Sequence, residues 1–132
     1  MRIVLAGLVL VLAIAEAHAA DPTPKARFDA AVVEAKANLS TPEGKAYDVV
    51  LSKHFEEHSG PVLTNCFKTT RKPDASPLEL VFVLSADGKP RDILVSPETN
   101  IAKCFIAQLR TTSLPAPPKD GYLAYLVMRF AK

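Results

Sequence analysis

Residues able to do chemistry are sparse in this chain, and the sharpest set is His54-Phe55-Glu56-Glu57-His58. Two histidines four apart on a helix share a face and can both ligate a metal, and the spacing fits the H-x-x-E-H pattern of inverted zinc peptidases. That chemistry also requires a distant third carboxylate ligand and a cleft, for which a domain of this size has little room. The plainer reading places His54 and His58 on the inner edge of a helix with Glu56 and Glu57 solvated, which leaves the pair as weak metal candidates. The sequence assigns no cofactor and no catalytic residue. The Gly-x-Ser-x-Gly motif is absent, as is a glycine-rich phosphate loop, and Asp87 and Asp92 flank a hairpin, where a turn role for the first and solvation for the second explain them better than acid–base work.

Cys66 and Cys104 are the second pair. Their meaning depends on the compartment, and the first residues speak to that. Met1 and Arg2 give a short positive start, Ile3 to Ile14 is nearly all aliphatic, and Ala17-His18-Ala19 puts small residues where a signal peptidase reads. The expectation is a cleaved leader over 1–19 and a single domain over 20–132, exported to the periplasm or secreted, with no stable membrane insertion after cleavage. Glu16 shortens the apolar run below the length of a spanning helix. In an oxidising compartment an even pair without C-x-x-C spacing reads most simply as one disulfide. Closing a loop of about 40 residues destabilises the unfolded chain by roughly 4 kcal/mol.

The elements that must position these residues follow from periodicity. The chain has 132 residues, 48% hydrophobic and 23% charged, which suits one globular domain. Its net charge of +2 comes from scattered charges rather than a basic stripe, which argues against nucleic acid as a partner. From Pro24, Phe28, Val32, Ala35 and Leu39 recur at helical spacing. Ser40-Thr41-Pro42-Glu43 reads as a capping box opening a second helix, with Tyr47, Val50, Leu51, His54, Phe55 and His58 inward. Ser59-Gly60-Pro61 should end or bend it, leaving Val62, Leu63, Cys66 and Phe67 on a short third piece, so that 24–70 forms a helical part. Polar, proline-bearing residues 69–77 then lead into 78–132.

In that second part Leu78, Leu80, Phe82 and Leu84 share one face of a strand whose other face carries Val81 and Val83, the pattern of a central strand covered on both sides. Asp87-Gly88 turns the chain into an antiparallel partner over Arg91 to Ser96. Thr99 or Asn100 caps a helix bearing Ile101, Cys104, Phe105 and Leu109 on one face. Leu114-Pro115-Ala116-Pro117-Pro118 makes a rigid corner, and Tyr122 to Phe130 is the last strand. Bonding Cys104 to Cys66 would tie the helical part to the back of the sheet.

The order strand, Asp-Gly turn, strand, helix, proline-rich corner, strand resembles the TonB C-terminal domain and its cysteine-bearing relatives in small exported proteins. The resemblance covers about 55 residues and implies an α+β fold: a small three-stranded antiparallel sheet packed against helices. It does not imply force transmission, since TonB keeps a membrane helix and a long proline-rich spacer that this sequence does not show. The resulting functional expectation is a non-enzymatic module that binds another envelope or secreted protein. Its candidate interaction edge is the last strand, with Tyr122, Tyr125 and Arg129. An inhibitor or immunity-type protein using Leu114 to Pro118 as a wedge is the alternative, and a small zinc enzyme using His54 and His58 comes third.

Overall fold

The computed structural model describes residues 21–131; the leader expected over 1–19 lies outside them. Two helices, α1 (Pro24–Leu39) and α2 (Pro42–Thr69), precede strands β1 (Leu78–Leu84) and β2 (Pro90–Ser96), helix α3 (Asn100–Leu109) and strand β3 (Tyr122–Met128). The strands form one antiparallel sheet in the order β2-β1-β3. The fold is α+β, with the helical part ahead of the sheet. Among the described residues no helix is long and apolar enough to cross a membrane.

Register assigns the two faces. Leu78, Leu80, Phe82 and Leu84 lie opposite Met128, Leu126, Ala124 and Tyr122, and residues directly opposite in antiparallel strands share a face. This face packs on Tyr47, Leu51 and Phe55 of α2 and on Ala102, Phe105, Ile106 and Leu109 of α3. The other face carries Glu79, Val81, Tyr125 and Leu123, and α1 crosses it: Asn38 Nδ2 donates to the Leu123 carbonyl at 3.0 Å, and Lys36 Nζ stands 5.3 Å above the Tyr125 ring. Both faces of β1 are therefore covered, and all its residues except Glu79 and Val83 are fully buried.

Cys66 and Cys104 form a disulfide across 38 residues, joining α2 to α3. Tyr47 fastens the other end of α2, its hydroxyl donating to the Pro115 carbonyl at 2.7 Å. The proline-rich corner is held from a second side as well. Leu114 N–H donates to the Gly88 carbonyl at 2.9 Å, so close that a Cβ on Gly88 would stand 1.9 Å from the Leu114 oxygen. With φ of 83° in addition, Gly88 is the residue type this turn requires.

The second helix differs from its sequence reading in three respects. It runs unbroken through Ser59-Gly60-Pro61 for 28 residues, so Val62 to Phe67 are its last turns rather than a separate piece. An interior proline costs about 3 kcal/mol or more. Here the helix is anchored on both sides of it, by buried Phe55 before and by buried, disulfide-bonded Cys66 after. Its N-cap is Thr41, whose hydroxyl accepts from Gly44 N–H, instead of Ser40 with Glu43. Val50 and His58, expected inward, are exposed, and the buried line runs Tyr47, Leu51, Phe55, Ser59.

The second strand carries a β-bulge. Val81 pairs with Leu94 but Val83 with Arg91, so Asp92 and Ile93 together oppose Phe82, and Asp92 takes φ of 50°. The bulge lets buried Pro90 and core-packed Ile93 and Val95 all turn to the same face.

Candidate functional site

The histidine pair sits on the middle of α2. One helical turn stacks the rings at 4.2 Å between centroids and 18° between planes. His58 Nδ1 lies 2.8 Å from the His54 carbonyl, which as acceptor holds the proton on Nδ1. His54 is half-buried and meets Phe55 edge to face; partial burial, then the neighbouring His58, lowers its basicity below that of a free imidazole. No group of three or more His, Cys, Asp or Glu able to hold a metal occurs among the described residues. The third carboxylate of the H-x-x-E-H chemistry is thus not brought to the pair.

Asp87 serves the hairpin, accepting from the Ser85 hydroxyl at 2.8 Å and from Lys89 N–H at 3.3 Å. Those bonds hold its carboxyl below the ordinary range. Asp92 occupies the bulge. The structure does not bring the two acids together as a pair. Thr99 caps α3 through Ala102 N–H, while Asn100 holds the linker by accepting from Asp74 N–H and donating to the Lys72 carbonyl.

The expected interaction edge is more enclosed than its sequence implies. Tyr122 is buried in the core, edge-on to Tyr47 at 5.3 Å, and so is no surface residue. Burial raises the Tyr47 hydroxyl to about 12. Tyr125 is half-buried and donates to Glu79 Oε2 at 2.9 Å; burial first, then that bond, pushes its hydroxyl up. Arg129 is exposed beside Phe130, which closes edge-on against Phe67 at 5.3 Å.

Backbone phase shows what each edge offers. Ser85 N–H donates to Lys89 O on the β2 side of β1, and Asn38 reaches Leu123 O from outside β3. Alternate residues of an antiparallel strand point both polar groups to one side. Glu79, Val81 and Val83 therefore face β2, and Leu123, Tyr125 and Val127 present theirs outward on β3. On β2, Leu94 and Ser96 bond inward, and Val95 presents its N–H and C=O to the free edge.

A cavity of about 870 Å³ touches Ile93, Leu94, Val95 and Ser96 in succession. Consecutive strand residues point to opposite faces, so a hollow that meets four in a row runs along the edge of the strand. Phe28 and Val32 of α1 flank it on one face, and Lys103, Ile106 and Arg110 of α3 on the other. Sequence reasoning missed this site because no single motif carries it; the parity change between Pro90 and Ile93 was the one local sign of a bulged edge strand. No family model matches the chain, and no curated protein or solved structure matches it significantly.

Proposed function

We propose that the protein is an exported, non-enzymatic binding module that takes an extended segment of another envelope or secreted protein as an added strand along β2. The observation that carries this reading is the hollow along Ile93 to Ser96, where the outward amide and carbonyl of Val95 lie between two helices. Unpaired strand backbone supplies affinity for an extended peptide, and pockets above and below the edge select its alternate side chains. Four residues of strand extend roughly 13 Å, enough for a short extended segment. Arg91 and Asp92 at one end and Pro97 at the other bound the usable window, the means by which edges avoid indiscriminate pairing. The disulfide supports a periplasmic or secreted location. The sheet half is, on the same reading, a cysteine-bearing relative of the TonB C-terminal domain, supported by its element order and turn residues.

A photo-crosslinking residue at Ser96, used in the producing cell, tests the reading. A defined envelope or secreted protein should be captured, and Val95→Pro, which removes the outward N–H, should abolish capture in a chain that still folds. Equal capture from a crosslinker at exposed Val49 on α2, or capture indifferent to Val95→Pro, would overturn it.

A further inference from the structure

We propose that His54 and His58 form a two-imidazole binding site for one divalent copper or zinc ion, independent of the edge of β2. One turn of a helix sets the backbone spacing of the pair and brings the rings side by side, stacked at 4.2 Å between centroids and 18° between planes. The His58 Nδ1 proton is engaged by the His54 carbonyl at 2.8 Å, which leaves Nε2 as the nitrogen with a free lone pair. A backbone hydrogen bond to the non-ligating nitrogen is the usual way a ligating imidazole is fixed in tautomer and orientation.

His54 is half-buried one helical turn before His58, on the same side of α2. With His58 held by its bond to the His54 carbonyl, rotation of the His54 ring about its terminal side-chain torsion, which is soft for imidazole, turns it toward an ion at His58 Nε2. The neighbouring charges on α2 are Lys53 and Glu57, an exposed pair 3.8 Å apart. From α3, neutral Gln108 and Thr112 border the same small hollow.

Donor chemistry selects the ion. Imidazole suits copper, nickel and zinc, whereas calcium and magnesium require an oxygen cage; copper stands above zinc in the general order of affinity. Two protein nitrogens leave the remaining positions to water or to an external donor. This is an open binding site rather than a closed structural one.

Calorimetric titration of the purified protein with Cu²⁺, Zn²⁺ and Mg²⁺ tests the site, with His54→Gln and His58→Gln alongside the parent. The parent should bind one Cu²⁺, with Zn²⁺ weaker and Mg²⁺ without heat. Either substitution should weaken copper binding by roughly tenfold or more, since the second donor acts at high effective concentration. Copper should raise the thermal midpoint of the parent alone, because the ion binds the folded turn. His58 is exposed, so His58→Gln tests the site in a chain whose metal-free melting should match the parent. No copper binding below the millimolar range, affinity in both variants equal to that of the parent, or loss in one variant alone would overturn the proposal.

Discussion

The outer strands β2 and β3 carry the same unpaired backbone, yet the chain finishes them differently. On β3, the first outward carbonyl, Leu123, is occupied by Asn38 from the end of α1, and Lys36 lies over the next outward residue, Tyr125. On β2, Val95 faces a cavity of about 870 Å³ whose walls come from α1 and α3, distant in sequence from each other. One edge is capped by a side chain placed for that contact, and the other is walled without being filled. An edge capped by a local hydrogen bond is protected against pairing; an edge held between two helices is protected from indiscriminate pairing while remaining open to a strand that fits.

The largest test of that contrast removes the crosslink that holds α3. Replacing Cys66 and Cys104 together by serine should cost about 4 kcal/mol in denaturant unfolding, the chain-entropy expectation for a loop of 38 residues. Amide exchange should rise sooner in α3 and β2 than in β3. The reverse order would mean that the β2 wall does not depend on the crosslink. Smaller, and sharper, is the comparison of two neighbouring prolines. Leu94→Pro deletes an N–H that bonds toward buried β1 and should cost about 1–3 kcal/mol more than Val95→Pro. Equal losses in thermal unfolding would show that the assigned backbone phase is wrong. Smallest is Asn38→Ala, expected to lower stability by about 1 kcal/mol through the lost bond to Leu123, with crosslinking at Ser96 unchanged. A change in that crosslinking would mean the two edges are coupled.

Much of this architecture was legible in the residues, because strong local signals agreed with the tertiary outcome. Asp87-Gly88, the alternation of Leu78 to Leu84 and the cap at Thr99 each have one good structural solution, and the structure adopts it. The misreadings occur where tertiary packing outweighed a local rule. Gly60-Pro61 ends an isolated helix, but here both sides are tied down. Pro42 at the first helical position was itself a sign that Thr41, and not Ser40, is the cap. Counting threes and fours alike puts Val50 and His58 inward, whereas the buried line Tyr47, Leu51, Phe55, Ser59 advances strictly by fours. The β2 groove was illegible because it is assembled from α1, β2 and α3, whose proximity only the folded chain creates.

The crosslink between Cys66 and Cys104 also sets how the molecule would carry a mechanical load. A pull on the two ends of the chain passes through the covalent bridge, so the stretch between the cysteines, which holds β1 and β2, is bypassed and bears no tension. Strand β3 lies beyond the bridge and remains in the loaded path. Under tension β3 would strip away from the sheet while the β1–β2 hairpin stayed closed, and the strand left at the new edge would be β1, the most buried in the molecule.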